Sequence, residues 1–381
     1  MQAWRRSRLP HSKVHNMPPR HWQSHNFTSQ LLTPIAALYG AAIQLRAWCY
    51  RMGLLKTTAF PVPIVVVGNI VAGGVGKTPI VMALVLRLKA MGYQPGVISR
   101  GYGRKAKDCQ EVTSTSTADQ VGDEPMLLFH ACKAPVVVAS SRAVAAKALL
   151  ERHPECNVIV SDDGLQHTAL GRHIEIVVFD ERALGNGRLI PAGPLRETWP
   201  RPRSARASTH LVLHNVSRTL ADYAMNGKGE RITLATLQTE STTASQAKFQ
   251  LHAMAGIAKP DNFFQMLRAA GLQLVSATPF PDHADLSDYA PPTGKDDLLL
   301  CTEKDAVKIW AHNRGVFAVP LHIELDATFL KAFDASIQCQ LKVTPHANRP
   351  TSQTSNGVSQ KNGQQTTRAT GMPSDQRTLA L

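Results

Sequence analysis

The chain has 381 residues, long enough for two domains with their own cores, and its 43% hydrophobic and 18% charged residues are ordinary for a folded globular protein. A formal net charge of +14 favours anionic partners: nucleic acid, anionic lipid or phosphorylated substrates. The cysteines, at 49, 109, 132, 156, 301 and 339, form no CxxC pair, which argues against a zinc site or a disulfide framework and for a reducing cytoplasm.

Residues 1–30 are polar, basic and rich in His and Pro, and read as a disordered leader. The apolar stretch begins too late for a signal peptide, and no small-residue cleavage site follows it. Across residues 1–56 the charged side chains are Arg5, Arg6, Arg8, Lys13, Arg20, Arg46, Arg51 and Lys56, with no Asp or Glu. Thr33 reads as a helix N-cap with Pro34 at the first helical position. Ile35, Leu38, Ala42, Leu45, Cys49 and Met52 then fall on one helical face, and Gly53 reads as a stop. The uncharged run Leu31–Leu45 is shorter than the ~18–20 residues that span a bilayer. Arg46, Trp48, Tyr50 and Arg51 suit a headgroup zone. The segment 31–56 is therefore expected to be an amphipathic helix on a membrane surface, the alternative being a helix packed on the protein's own core.

From residue 57 to about 235 the pattern is α/β. Strands are expected at Pro63–Val67, Gly96–Ser99, Pro135–Ala139, Val158–Val160, Ile174–Phe179 and Val212–His214, with helices from Lys77 and over Ala143–Glu151. This alternation predicts a parallel, doubly wound sheet with ligands at the strand C-terminal ends. Thr, Ser, Ala and Gln become common at 216–248, where a domain junction is expected. A smaller α/β domain over 236–344 follows, and the Ser-, Thr-, Gln- and Asn-rich tail 345–381 reads as disordered.

The run Gly73-Gly74-Val75-Gly76-Lys77-Thr78 follows an apolar strand and opens a helix. Glycines let backbone N–H groups approach phosphates, and the helix N-terminus adds a positive dipole. Lys77 can reach the β- and γ-phosphates of ATP, and Thr78 can ligate magnesium. The strict G-x-x-x-x-G-K-[ST] pattern is not met, because its first position is Val71. Asp162 and Asp163, at the end of strand Val158–Val160, lie where a magnesium-holding carboxylate is needed, although adjacent aspartates can also simply cap a turn. Gly122-Asp123-Glu124-Pro125 reads as a loop, and His283 taken alone reads as structural.

Together these stretches resemble one family, the tetraacyldisaccharide 4′-kinases of lipid A biosynthesis in Gram-negative bacteria. The matching segments are VVVGNIVAGGVGKTP (65–79), SRGYGR (99–104), GDEP (122–125), SDDGLQH (161–167), GNGRLIPAGPLRE (185–197), FPDHADLS (280–287) and CTEKDAVK (301–308). The resemblance implies a P-loop NTPase-like fold and transfer of the ATP γ-phosphate to the 4′-hydroxyl of a tetraacylated glucosamine disaccharide 1-phosphate, giving lipid IVA. It implies a nucleotide site at Gly73, Gly74, Val75, Gly76, Lys77 and Thr78. Magnesium and phosphate positioning fall to Asp162 and Asp163, with Thr78 and Asp162 as the metal ligands. Asp123 is implied as the base facing the acceptor hydroxyl, with His283 reaching across from the second domain. Glu124, Arg142, Gln166, His167 and Glu197 match further motif positions near the site. A lipid substrate implies peripheral attachment to the cytoplasmic face of the inner membrane, with no nucleic acid and no obligate protein partner. The cluster Arg196, Arg201, Arg203 and Arg206 is a candidate for the substrate's 1-phosphate or for lipid headgroups. The family usually has Ser or Thr where this chain has Val71.

Two other classes compete. One is a membrane-associated switch ATPase with a deviant KGGxGKT loop, but its signature lysine is Ala72 here. The other is a nucleic-acid-binding protein, which the charge alone suggests and no motif supports.

Overall fold

The computed structural model describes residues 19–74, 76–201, 207, 209–214, 216–242, 250–286, 289, 294 and 296–343. The expectations placed on residues 1–18, Val75, Arg203, Arg206 and the tail from 344 lie outside the described residues.

The chain enters through a 3-10 turn at Arg20–Trp22, then helices α1 (Phe27–Leu31) and α2 (Thr33–Arg51). Residues 20–30 were expected to belong to a disordered leader, and the structure corrects this. The buried Ser29 hydroxyl donates to Ala192 O at 2.7 Å, and Asn186 Nδ2 donates to His21 O at 2.8 Å and to Ser29 Oγ at 2.9 Å. Buried backbone polar groups must be paired, and here the loop 185–197 supplies the partners. Helix α2 buries its small residues, Ala36 and Gly40; a Cβ on Gly40 would come within 2.9 Å of Leu189 Cδ1. The larger apolar face points outward, with Leu38 at 72% and Leu45 at 61% exposure.

The first sheet comprises β1 (Ile64–Gly68), β2 (Pro95–Ser99), β3 (Gln110–Glu111), β4 (Val136–Val138), β5 (Val158–Asp162), β6 (Ile174–Phe179) and β7 (Thr209–His214). Its order is β3-β4-β2-β5-β1-β6-β7, parallel throughout except for the antiparallel edge pair β3/β4. The Val/Ile runs of β1, β4 and β5 are what a sheet covered on both faces needs. Alternate residues serve opposite faces. Val65 and Val67 meet α3 (Lys77–Ala90) and α5 (Asp123–Cys132), while Ile64 and Val66 share the other core with α6 (Arg142–Arg152). A short helix, α4 (Ala118–Val121), leads into α5. The GDEP stretch is therefore not a loop: Gly122, at φ 93°, turns the chain directly into α5.

After the ribbon strand β8 (Ser217–Leu220) the second sheet begins at β9 (Tyr223–Asn226) and β10 (Arg231–Thr233), inside the 216–248 stretch where the junction was expected but ahead of residue 236, the start given to the smaller domain. Helix α7 (Leu234–Thr242), β11 (Gln250–Ala255), α8 (Pro260–Ala269), β12 (Leu274–Pro279), β13 (Asp297–Thr302), α9 (Glu303–Ile309) and β14 (Phe317–Val319) follow. The strand order is β10-β9-β14-β13-β11-β12. Strands β11 to β14 pair in parallel, whereas β9 is antiparallel to both its neighbours. Helix α8 covers one face through Phe263, Phe264 and Leu267, and α9 the other through Ala306 and Ile309.

The chain then returns through β15 (Leu321–Glu324), which pairs antiparallel with β8, and the described residues close with α10 (Ala327–Val343). Phe329, Phe333, Ile337 and Leu341 recur every four residues on α10 and pack into the first core, not the second. The last helix thus belongs with the P-loop sheet, although its residues were assigned to the smaller domain. Contacts knit the two sheets into one compact unit.

Candidate active site

The Gly73–Thr78 loop lies between the end of β1 and the start of α3. Val67 pairs with Asp162 across β1 and β5, which sets the loop beside the aspartate pair at the C-terminal edge of the sheet. Gly76 caps α3 in the left-handed region, at φ 67°, where a side chain is disfavoured. A Cβ there would also meet Arg218 Nη2 at 2.7 Å. The loop is pinned from behind: Ala72 N donates to Pro194 O at 2.8 Å and Arg196 N donates to Ile70 O at 2.7 Å. The buried Asn69 donates from Nδ2 to Val71 O and, at 3.3 Å, to Gly73 O, and it accepts from Lys77 Nζ at 3.3 Å. Arg182, paired with Asp180 at 2.8 Å, donates to Gly74 O at 3.2 Å.

Lys77 Nζ lies 3.4 Å from Asp163 Oδ1, and the Thr78 side chain is buried at the first turn of α3. Asp163 sits in the left-handed region at φ 48°, and so does His283 at φ 60°. Such conformations are costly for non-glycine residues and concentrate at functional sites. Asp162 is fully buried, and its Oδ1 has no hydrogen-bond partner. Burial, with Glu124 and Asp163 nearby, pushes its carboxyl well above the usual range against the pull of Lys77 and Arg142. An orphaned carboxylate oxygen at the end of β5, beside the strand that leads into the phosphate loop, fits a divalent cation. Among the described residues no cluster of three or more His, Cys, Asp or Glu is placed to hold a metal unaided. A magnesium ion shared with phosphates needs only one or two protein carboxylates.

Arg142 opens α6 and donates to Asp162 O at 2.9 Å and Asp163 O at 3.2 Å. Its Nε and Nη1 are buried and without hydrogen-bond partners, and burial lowers the guanidinium to about 10. His167 is held down to about 4, first by burial and then by Arg142 and Arg100, so it is neutral at neutral pH. Gln166 Nε2 donates to Asn69 O at 3.1 Å and to Glu197 Oε1 at 2.9 Å. Glu197 in turn accepts from Arg201 Nε at 2.8 Å, and Arg201 Nη1 reaches the buried Glu175 at 2.8 Å. Arg201 is thus committed inside the protein, which corrects its reading as a headgroup or 1-phosphate contact. Arg196 lies 3.8 Å from Asp163.

Across the site, Asp123 begins α5 and its carboxylate accepts from Glu124 N at 3.0 Å. The helix N-terminus favours that anion. His283 Nδ1 lies 3.0 Å from both Asp123 oxygens, so the structure brings together two residues 160 positions apart. Lys308 Nζ is 3.1 Å and Lys304 Nζ 3.7 Å from Asp123 Oδ2. Burial opposes ionisation of Asp123, but the His283 hydrogen bond and the two lysines together overcome it and hold the carboxyl well below the usual range. The bond to Asp123 raises His283, with burial opposing. Tyr102, from the SRGYGR turn, lies over His283 with ring centroids 5.0 Å apart. A cavity of about 650 Å³ joins the two sides, lined by Lys77, Thr78, Glu124 and Lys304 and by the apolar Phe263 and Met266.

Asn69, Lys304 and Lys308 were not singled out from the sequence, although all three lie in the quoted segments. The i,i+4 spacing of Lys304 and Lys308, which puts both on one face of α9, was the available signal.

A protein-family model described as tetraacyldisaccharide-1-P 4′-kinase matches residues 28–338. The tetraacyldisaccharide 4′-kinase of Acidovorax sp. (strain JS42) is 46% identical over 328 residues, covering 83% of this chain and 93% of that one. The tetraacyldisaccharide 4′-kinase of Polaromonas sp. (strain JS666 / ATCC BAA-500) is 45% identical over 342 residues, covering 86% and 97%. The crystal structure of "apo" form LpxK from Aquifex aeolicus in complex with ATP is similar with a TM-score of 0.67 at 28% identity, covering 82% of this chain and 98% of that chain.

Proposed function

Because the chain belongs to the tetraacyldisaccharide-1-phosphate 4′-kinase family, we propose that it transfers the γ-phosphate of ATP to the 4′-hydroxyl of a tetraacyldisaccharide 1-phosphate, forming lipid IVA. The observation that carries this reading is one cavity lined by Lys77 and Thr78 of the phosphate-binding helix end on one side and by Glu124, Asp282 and Lys304, the neighbours of the buried Asp123–His283 pair, on the other.

Phosphoryl transfer passes through a loose transition state, so catalysis is mostly positioning and charge neutralisation. The bond between the γ-phosphorus and its bridging oxygen breaks while a bond from the acceptor 4′-oxygen forms, and the hydroxyl proton passes to Asp123. Asp123 need not be a strong base: it orients the hydroxyl and accepts the proton late. His283, bonded to the same carboxylate, fixes its direction. Lys77 and the N-terminus of α3 hold the β- and γ-phosphates. Thr78 and Asp162 would hold magnesium, which shields the charge on the phosphates. The unpartnered donors of Arg142 suit an incoming anion, since buried polar groups are otherwise satisfied. Gln166 and Glu197 act from behind the loop, by bracing it through Asn69.

The substrate's acyl chains remain in a membrane while ATP is cytosolic, which calls for an enzyme at the cytoplasmic face of the inner membrane. No helix among the described residues is long and apolar enough to cross a membrane. The exposed apolar face of α2 and the neighbouring Phe27 and Leu31 supply a surface for peripheral attachment. Each Lys or Arg of the acid-free segment adds ~1 kcal/mol near an anionic surface.

The direct test is transfer of labelled phosphate from ATP to the lipid disaccharide by the purified protein, beside Lys77→Ala. Stoichiometric, lipid-dependent ATP consumption is expected. Lipid-independent hydrolysis stimulated by a protein partner would replace this reading with a switch ATPase.

A further inference from the structure

The Asp–His pair is part of a larger charge cluster, and the reading above uses only part of it. Asp123, Glu124 and Asp282 supply three carboxylates; Lys304, Lys308 and His283 supply three basic groups. Lys304 Nζ is the hub: it lies 2.8 Å from Asp282 Oδ1, 3.3 Å from His283 Nε2, 3.7 Å from Asp123 and 3.8 Å from Glu124. Lys308 Nζ has two partners, Asp123 Oδ2 at 3.1 Å and Ala284 O at 3.1 Å. Both lysine side chains are nearly enclosed, at 14% and 9% exposure, and the Asp123 side chain is at 4%.

Ordering two long lysine side chains in this way costs entropy, and burying a carboxylate costs several kcal/mol unless it is paired. A surface ion pair would not warrant either cost. Helix α9 is itself fixed at its root. The Thr302 hydroxyl accepts from Asp305 N at 3.2 Å, and the fully buried Asp305 accepts from Gly256 N at 2.9 Å. The lysines therefore project from a rigid base on the second sheet onto a carboxylate carried by the first.

Resting on the kinase reading, we propose that Lys304 and Lys308, one turn apart on α9, are positioning residues that clamp Asp123 as an oriented anion, so that acceptor deprotonation depends on α9 being docked against α5. His283 alone would leave the carboxylate with a partner that loses its charge as the pH rises. The lysines make the anion insensitive to that loss. Among the described residues, the Tyr102 ring lies over His283, and the buried Asp305 carboxyl lies near both lysines on their own helix.

The test compares Lys308→Met, Lys304→Met and Lys308→Arg with the wild type in two measurements. The first is the pH profile of kcat/KM for the lipid acceptor at saturating ATP. With one lysine gone, kcat/KM falls by about tenfold or more on the alkaline side, as His283 loses its proton, since an opposite charge within ~4–6 Å is worth about one pH unit to a carboxylate. Lys308→Arg restores most of the loss, and KM for ATP stays within a few-fold. The second measurement, melting temperature against pH, needs no substrate. A carboxyl depressed in the folded state contributes stability above its unfolded pKa and loses it as the pH falls through the folded value. In Lys308→Met the carboxyl's share of the deficit is therefore complete above about pH 4 and fades below it, and the deficit widens further above about pH 6.5 as His283 gives up its proton and the buried anion is left with fewer cations. A loss of kcat/KM that is the same at every pH, or a melting deficit constant with pH, would overturn the clamp. Absence of lipid phosphorylation by the wild type, with the melting arm behaving as described, would overturn the kinase reading and leave the clamp standing.

Discussion

The two sides of the cavity are assembled in opposite ways. On the first-sheet side, Asn69, Gly73, Gly76, Lys77 and Thr78 come from one unbroken stretch, and the backbone does much of the work through a left-handed glycine and a helix end. On the other side, Asp123, His283, Lys304 and Lys308 come from three separate segments, and side-chain charge does the work. The first side is set by local geometry and forms wherever a strand and a helix flank the loop. The second exists only while α9 and the His283 turn are docked against α5.

The comparison predicts separable failures, and the largest concerns Asp123. Asp123→Ala is expected to lower turnover by about 10²–10⁴-fold while ATP affinity stays within a few-fold. A large loss of ATP binding would instead move Asp123 to the nucleotide side. Lys77→Ala should cost about 10²–10³ in kcat and leave lipid binding to vesicle-borne substrate nearly intact, because it removes one cation from the phosphate side alone. Phe333→Ala probes which half owns the last helix. Chemical unfolding followed in the full chain should show a loss of about 3–5 kcal/mol, the cost of emptying a buried phenylalanine site. A near-neutral result would detach α10 from the first core. The smallest change is expected from Leu38→Glu/Leu45→Glu, which alters neither side of the cavity. Vesicle flotation should fall at least about tenfold, given ~1.5–3 kcal/mol for each buried leucine. Soluble ATP binding should stay the same, and unchanged flotation would remove α2 from the membrane.

This difference also explains what could be read from the sequence. The strands Ile64–Gly68, Val136–Val138 and Val158–Asp162 were legible because residues covered on both faces must be apolar without interruption. The phosphate loop was legible because its chemistry is contiguous. Asp123 and His283 were reached only through resemblance: nothing local tells a loop-like Gly-Asp-Glu-Pro from the start of α5, and the 160-residue separation leaves no periodic trace. Lys304 and Lys308 were quoted but not weighed, since lysines on a short helix usually face water. The residues of α10 were placed with the smaller domain by continuity alone, since no helix was read there, and a boundary drawn on composition does not say which core a segment packs on. Arg201 was misread for a related reason: a basic run says nothing of Glu175 and Glu197, which enclose one of its members.

The ribbon of β8 and β15 has one more consequence. Ser217 sits directly opposite Glu324, so the chain leaves the P-loop half and comes back to it at neighbouring points. Everything between them, from the second sheet to the His283 turn and α9, is topologically an insertion into a nucleotide-binding module that resumes with α10. An ancestor with a short turn at that place would have kept Asp123 on α5 but lacked His283, Lys304 and Lys308 around it. A lineage could exchange the insert for another without stretching the sheet that holds the phosphates, and acceptor choice would then change as a cassette while the energy source stayed the same.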